Sequence, residues 1–299
     1  MHTPAINLPL LSRILTTTWA IRRETLMASA QGILTGQPIR TRSDTTWSVG
    51  QYDDDGNRVR RPYPTQDGYT ACSFEGVFAS MRGTLPTMPA GTHCILVWGT
   101  LGRAWTEDER YMLDAIEVDE IVAAIASRPQ GERIVLWFRS PGGITVGTAE
   151  AAAQIRQLAR TRDLVAFSDD LCASAAYWLA SQCNEIHATP TAALGSIGVY
   201  LAFYDFTDHL AQNGVKLELF KEGALKAIGM KGNPLDEAAR AHLSTQVAAA
   251  YAAFTTAVTD MRDIAEEHMQ GQCLEGPAAL TANLADRADW PSAAAFFAR

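Results

Sequence analysis

The sequence predicts an α/β fold made of repeated strand–helix units. From Cys94 onward, short apolar runs of strand length alternate with longer stretches of helical periodicity, a pattern typical of a largely parallel sheet covered by helices. The chain has 299 residues, of which 47% are hydrophobic, enough to bury a sizeable core. Residues 1–90 are richer in Pro, Thr and Arg and lack this alternation. We therefore predict an N-terminal extension over 1–90 and one main domain over 91–299.

The individual elements follow from the same patterns. Strands are predicted at 94–98, 134–138, 164–167, 185–188, 199–204 and 217–220. Helices are predicted at 118–127, at 148–160, at 175–181, before Gly214, and over 236–269 after Pro234. In the extension, the sequence indicates an amphipathic helix over 10–34 and a hairpin turn at Asp55-Gly56.

Composition and charge exclude several classes of function. The net charge of −8 arises from 33 acidic and 25 basic side chains without a basic block, so nucleic-acid binding through phosphates is not expected. No stretch approaches the roughly 18 apolar residues of a membrane-spanning helix, and the first residues lack the basic start and unbroken apolar run of a secretion signal. Five scattered cysteines without Cys-x-x-Cys spacing predict reduced, buried thiols. We therefore expect a cytoplasmic protein without a membrane anchor.

Ser174 is the candidate nucleophile. It stands among small residues where the strand at 164–167 leads into the helix at 175–181, close to backbone N–H groups that favour developing negative charge. The Ser-Pro-Gly-Gly run at 140–143 follows the strand at 134–138, and its two glycines let backbone N–H groups approach a substrate carbonyl. Each feature alone has an ordinary alternative, because serines commonly cap helices and Pro-Gly-Gly commonly forms a turn.

The distribution of basic residues indicates Lys226 as the general base. All four lysines lie within 216–231, and every other basic side chain among the 25 is an arginine. A guanidinium does not release its proton at useful pH, whereas a desolvated lysine can act as a base. Lys226 lies between Leu225 and Ala227, so we expect apolar surroundings that favour its neutral amine. The alternative is a half-buried loop lysine with its amine in water.

A histidine base was weighed against the lysine. The histidine nearest to Ser174 in the sequence is His187, which lies in the predicted strand at 185–188. Its place in a short strand predicts a packed or edge residue rather than a base.

Four motifs in order resemble those of one family. They are the Ser-Pro-Gly-Gly run, Cys-Ala-Ser-Ala-Ala-Tyr-Trp-Leu-Ala-Ser at 172–181, Ala-Thr-Pro-Thr-Ala at 188–192 and Gly-Ser-Ile-Gly-Val at 195–199. Over residues 93–288 the chain resembles the signal peptide peptidase A family of serine peptidases, and most of all its phage prohead protease (minor capsid protein C) branch. The resemblance implies a ClpP/crotonase-like fold and a Ser-Lys dyad of Ser174 and Lys226.

Further roles follow from the resemblance alone. It implies an oxyanion hole formed by Gly142 or Gly143 together with the N–H of Ala175. It also implies that the hydroxyl of Ser196 orients the lysine amine, that no metal or other cofactor takes part, and that the protein forms a homo-oligomer. The extension over 1–90 would then provide an oligomer or capsid contact.

The chain departs from the family pattern at a few positions. Arg139 stands where an acidic residue usually precedes Ser-Pro-Gly-Gly, while Glu222 and Leu225 replace a common Ser and a frequent His or Tyr in the lysine loop. Asn283 replaces a usual Gly, and Asn tolerates the same left-handed backbone. None of these changes removes a catalytic group.

The sequence therefore predicts a serine endopeptidase, with a phage prohead protease that digests scaffold or processes capsid proteins as the favoured role. The expected partner is a polypeptide substrate, in the host cytoplasm or an assembling virion. A cytoplasmic bacterial signal-peptide or protein-quality peptidase is the first alternative. A non-peptidase on the same fold, either crotonase-like or a structural capsid protein, is the second.

Overall fold

The computed structural model describes residues 19–21, 63–64, 68–73, 85–105, 109–110 and 113–298, with the backbone alone at 19–21, 63–64, 71 and 73. The strands are β1 (Trp19–Ile21), β2 (Tyr63–Pro64), β3 (Tyr69–Ser73), β4 (Thr92–Gly102), β5 (Ala115–Glu117), β6 (Arg133–Ile144), β7 (Asp163–Ala173), β8 (Glu185–Ala188), β9 (Ala193–Gly195) and β10 (Cys273–Glu275). The helices are α1 (Val118–Ala126), α2 (Thr148–Ala159), α3 (Ala175–Ala180), α4 (Thr207–Gln212), α5 (Glu237–Thr259), α6 (Gly276–Thr281) and α7 (Ala293–Phe297), with a 3₁₀ helix at Glu266–His268.

The strands of the described residues join one sheet, whose centre is parallel. Its order is β10-β9-β7-β6-β4-β3-β2, with β1 paired to β6, β5 to β4 and β8 to β7. β3, β4, β6 and β7 are parallel to one another, whereas β1, β2 and β10 pair in the antiparallel sense. Central parallel strands are covered on both faces, which explains the nearly continuous apolar runs of β4, β6 and β7. The predicted α/β class with repeated strand–helix units is confirmed.

Two hydrophobic clusters cover the two faces of the sheet. On one face, α1, α2, α3 and α5 pack over the strands, and Trp178 of α3 stacks on Phe254 of α5 with ring centroids 4.5 Å apart. On the other face, aromatic residues of the central strands meet the C-terminal segment, where Phe296 stacks on Phe167 at 4.4 Å. Every residue of α3 is buried. The core therefore fixes the helix that directly follows Ser174.

Two predicted strands, at 199–204 and 217–220, are wrong. No residue from 198 to 238 is buried, and the side chain of Phe220 is 92% exposed. The run at 217–220 lies on the surface and pairs with no strand of the described residues, and Val199 packs against the core without joining a strand. We call residues 198–238 the arm. Within it, α4 ends just before Gly214, as predicted, and this glycine has the left-handed φ of 73°.

The bounds of other elements differ from those predicted. α5 is capped by Asp236, whose side chain accepts a 2.7 Å hydrogen bond from the N–H of Ala239, but it ends at Thr259 instead of 269. Beyond it the chain turns and buries Ile264 and Met269 in the core. β6 and β7 extend past the predicted ends, and β6 includes the whole Ser-Pro-Gly-Gly run.

Predictions for the extension are tested only in part. Residues 19–21 form a strand, so the helix predicted over 10–34 is wrong there. The remainder of 10–34 and the turn at Asp55-Gly56 lie outside the described residues. In the part of the chain that the structure describes, no helix has the length and apolar character required to cross a membrane.

The cysteines behave as small apolar side chains. All five are free, and four of them are buried. Burial raises the pKa of the Cys183 thiol to about 12, so this thiol stays protonated and unreactive at neutral pH.

The buried His93 is expected to make stability depend on pH. Its Nε2 lies 2.8 Å from Thr70 Oγ1, and burial, with Arg128 nearby, lowers the pKa of His93 from 6.5 to about 4. The unfolded chain therefore takes up a proton at a higher pH than the folded chain. The free energy of unfolding should fall as the pH decreases from about 6.5 to about 4, by up to roughly 3 kcal/mol.

Urea unfolding across this pH range tests the effect. His93→Gln keeps a hydrogen-bonding group for Thr70 but does not titrate, so its stability should depend less on pH. An equal pH dependence in the variant and the parent would contradict the assignment.

Candidate active site

Ser174 joins β7 to α3 in a backbone conformation that is rare for a residue with a side chain. Its φ is 55° and its ψ is −121°, which costs about 1–3 kcal/mol and persists only where the surroundings enforce it. The Ser174 N–H donates to the carbonyl of Gly195 at 2.7 Å, and its own carbonyl accepts from the N–H of Trp178 at 2.9 Å. Hydrogen bonds to both its N–H and its carbonyl thus fix the backbone of Ser174.

The hydroxyl of Ser174 is buried but only weakly engaged. The residue is 1% exposed, and its Oγ lies 3.5 Å from the carbonyl oxygen of Gly198, at the limit of a hydrogen bond. No side-chain cap bond ties it to α3, so the ordinary alternative of a helix-capping serine is not what the geometry shows. A buried hydroxyl without a firm partner is available for chemistry.

The glycine run lies beside this serine. In the parallel pair of β6 and β7, Ser140 is opposite Cys172. Gly142 comes two residues after Ser140 within β6, and Ser174 comes two residues after Cys172, just past the end of β7, so the pairing brings the two close together. Gly142 has a φ of 98°. A Cβ on Gly143 would lie 1.7 Å from the carbonyl oxygen of Leu101, so only glycine fits there.

The side chain of Ser140 supports the glycine run, a role that the sequence analysis missed. Ser140 is fully buried. Its Oγ donates to the carbonyl of Gly99 at 2.6 Å and accepts from the N–H of Gly142 at 3.2 Å. The N–H of Gly142, one of the predicted oxyanion donors, is therefore already used by Ser140. The sequence signal for this role is the serine that opens the Ser-Pro-Gly-Gly run, whereas the prediction rested on the two glycines.

The C-terminal part of the domain supports α3. The phenol of Tyr177 donates to the carbonyl of Leu284 at 3.0 Å. The preceding Asn283 has a φ of 56°, which confirms the left-handed backbone expected there. Asp286 accepts from the N–H of Ile186 and from both arms of the Arg262 guanidinium. Although burial acts to raise the pKa of Asp286, these hydrogen bonds lower it overall, so its carboxylate stays charged.

Arg139, which departs from the family pattern, has a structural role. It forms a bidentate salt bridge with Asp169, in which Nε donates to Oδ1 at 2.8 Å and Nη2 donates to Oδ2 at 2.7 Å. Its guanidinium lies over the rings of Trp98 and Trp137. The indole of Trp137 donates to the same carboxylate at 2.8 Å. Arg139 thus joins β6 to β7 next to the glycine run without contributing to the predicted site.

Lys226 lies in the arm, in a series of turns. Its N–H donates to the carbonyl of Gly223 at 3.1 Å, and the following Ala227 has a left-handed φ of 70°. The amide of Asn233 donates to the carbonyl of Ala227 at 2.8 Å. Lys226 is exposed, so the apolar surroundings expected for it are not found in the single chain. No hydrogen bond joins Lys226 to Ser174 or to any other side chain of the described residues.

The other lysines differ in the contacts of their amines. Lys221 Nζ donates to the carbonyl of Ala224 at 3.1 Å, and Lys231 Nζ lies 4.8 Å from the centre of the Phe206 ring. Across residues 113–298, the amines of Lys216 and Lys226 have no such contact. The contacts of the amines therefore separate Lys216 and Lys226 from Lys221 and Lys231.

Ser196 is close to Ser174 in the fold, but no contact among the described residues joins it to Lys226, whose amine it was predicted to orient. It directly follows Gly195, the acceptor for the Ser174 N–H. Its φ is 52°, and its N–H donates to the carbonyl of Gln272 at 2.7 Å. The structure therefore groups Ser174, Ser196 and the glycine run, and leaves Lys226 apart.

His187 is packed, as predicted. Its Nε2 lies 2.7 Å from Glu185 Oε2, and its Nδ1 accepts from the indole N–H of Trp290 at 2.9 Å. Both ring nitrogens are therefore occupied away from Ser174, which leaves this histidine unsuited to act as its base.

Comparison with known proteins supports the resemblance found in the motifs. Residues 156–295 match Peptidase family S49, and this region contains Ser174, Ser196 and Lys226. The chain is 31% identical over 174 residues to the head-tail preconnector protein GP5 of Enterobacteria phage P21, a match that covers 56% of this chain and 35% of that protein. It is 25% identical over 237 residues to the capsid assembly protease C of Escherichia phage lambda, covering 78% and 49%. The resemblance is thereby confirmed.

These matches cover less than half of each phage relative. Among solved structures, a ClpP1 mutant from Listeria monocytogenes aligns over 65% of this chain and 90% of its own, with a TM-score of 0.39 and 10% sequence identity.

Ser140→Ala should destabilise the glycine run. The change leaves the buried carbonyl of Gly99 and the N–H of Gly142 without their partner, which costs about 1–3 kcal/mol. Chemical unfolding and amide hydrogen exchange at 142–144 measure the loss. The control is Ser127→Ala, since Ser127 is exposed and its hydroxyl only donates to the carbonyl of Ala124. Equal losses in the two variants would contradict the role assigned to Ser140.

Proposed function

We propose that this chain, in which residues 156–295 form a Peptidase family S49 domain, is a serine endopeptidase with Ser174 as nucleophile and Lys226 as general base. The observation that carries the proposal is the left-handed, buried Ser174, whose hydroxyl lacks a firm partner and lies next to the glycine run. Such strain at a nucleophile is typical of sites where the surrounding structure imposes a reactive geometry.

The reaction proceeds through an acyl-enzyme. The neutral amine of Lys226 takes the proton of the Ser174 hydroxyl while Oγ attacks the scissile carbonyl. The resulting ammonium gives its proton to the leaving amine when the peptide bond breaks. Water, deprotonated by the same amine, then attacks the ester, and the serine regains its proton as the acid product leaves.

Backbone N–H groups stabilise the charge that develops on the carbonyl oxygen. We assign this role to Gly143 and Ala175, because the N–H of Gly142 already donates to Ser140 and the first N–H groups of a helix have no partner within it. The hydroxyl of Ser196 orients the lysine amine. No metal or other cofactor enters these steps.

Assembly with further copies would bring Lys226 into the site. The arm has no buried residue, and it exposes apolar side chains at Val215, Leu217, Phe220, Leu225 and Met230. Large apolar side chains left exposed along one segment are typical of a protein–protein interface. Packing of the arm against another copy would remove water from the lysine amine, as a base requires. The homo-oligomer is therefore part of the proposed mechanism.

The phage relatives favour a role in capsid assembly. One is named as a capsid assembly protease and the other as a head-tail preconnector protein. We propose that the substrate is a scaffold or capsid polypeptide, met in the host cytoplasm or inside an assembling capsid. In this assignment the domain over 91–299 is the peptidase, and the extension over 1–90, apart from the strands that join the sheet, contacts other subunits.

The dyad is tested by cleavage of an unfolded protein and by labelling with a fluorophosphonate. Ser174→Ala should abolish both, and Lys226→Arg should reduce both at least about a hundredfold, because general-base catalysis contributes about 10²–10⁴ in rate. The matched controls are Ser244→Ala, at an exposed serine of α5, and Lys221→Arg. Both should retain the parent rate. Labelling that persists in Ser174→Ala, or an unchanged rate in Lys226→Arg, would contradict the proposal.

A further inference from the structure

A segment of the extension pairs with the glycine run. In β1, Trp19 is opposite Ile144, Ala20 opposite Gly143 and Ile21 opposite Gly142, in the antiparallel sense. β4 is paired with the same two glycines, through Thr100 and Leu101. A strand has only two edges, so β1 must occupy the edge of β6 that faces away from β4.

Before residue 142, this same edge of β6 pairs with β7. β7 pairs with β6 as far as Cys172 and Ser140, and it then leaves the sheet at Ser174 to begin α3. β1 therefore continues the sheet at the place that β7 vacates. Because β1 is antiparallel to β6, its chain runs from Trp19 towards Ile21, back in the direction of the nucleophile.

A peptide at this edge would lie where a protease needs its substrate. An extended chain that adds to a sheet edge forms backbone hydrogen bonds irrespective of its sequence, and here it would pass Ser174 and the N–H of Gly143. The observed occupant of this edge is residues 19–21 of the same chain. Ser174 is only 1% exposed, although a nucleophile must meet its substrate.

We propose that residues 19–21 occupy the substrate position and act as an intramolecular competitor, which a polypeptide substrate must displace. This inference rests on the proposed function. It gives part of the extension a regulatory role, because the site is closed until either a substrate or a partner draws the segment away. An intramolecular competitor raises the apparent KM and leaves kcat unchanged.

Proline substitutions in β1 test the competitor. Along a strand, successive N–H groups point to opposite edges, so of Ala20→Pro and Ile21→Pro, one removes an N–H that faces β6. That variant should lower KM for an unfolded protein about fivefold and raise the labelling rate of Ser174 similarly, since a lost backbone hydrogen bond weakens the pairing by about 1 kcal/mol. The matched controls, Ala20→Ser and Ile21→Val, retain the N–H groups and should behave like the parent.

Hydrogen exchange separates this proposal from the proposed function. If the pairing exists, the proline variant should expose the amides of 142–144 to faster exchange than its control does. If the proline variant exchanges faster but Ser174 reacts in none of the variants, the proposed function is wrong. The proposal that residues 19–21 compete with substrate then fails with it. An active enzyme in which both proline variants show parent values of KM, labelling rate and exchange would overturn the competitor alone.

Discussion

The left-handed backbone of Ser174 is the constraint on which the rest of the site depends. It is enforced by the carbonyl of Gly195 on one side and by the N–H of Trp178 on the other. Because α3 is fully buried, the Ser174 backbone has no room to relax to a more common conformation. The phenol of Tyr177 donates to the carbonyl of Leu284 and so links α3 to the C-terminal part of the domain. A cost of about 1–3 kcal/mol is sustained here because many buried contacts would be lost if the serine relaxed.

The two halves of the proposed dyad are held in different ways. Ser174 is fixed by the sheet and the core, and the buried hydroxyl of Ser140 sets the adjoining glycine run. Lys226 lies on an arm without buried residues, where only local turns define its backbone. In the proposed mechanism, the domain alone thus preforms the nucleophile and the oxyanion donors, whereas the base depends on what covers the arm. Activity would then be coupled to assembly.

The sequence predicted the elements whose pattern is set by burial. β4, β6, β7, α1, α2 and α3 lie where apolar runs and helical periodicity placed them, because these elements face the core. The runs at 199–204 and 217–220 misled the prediction, since a short apolar run forms a strand only where a neighbouring strand exists to pair with it. The exposure of Lys226 and the hydroxyl bonds of Ser140 depend on contacts between segments distant in the sequence, which a single sequence does not reveal.

The central claim is that Ser174 and Lys226 belong to one site in the assembled protein. The most direct measurement is an experimental structure of the assembled protein after reaction with a phosphonate. The account predicts a covalent bond from phosphorus to Ser174 Oγ, with the Lys226 amine of the same or a neighbouring copy within hydrogen-bonding distance of that oxygen. A phosphonate bound to a different residue, or a Lys226 amine that remains in solvent in the reacted assembly, would contradict it.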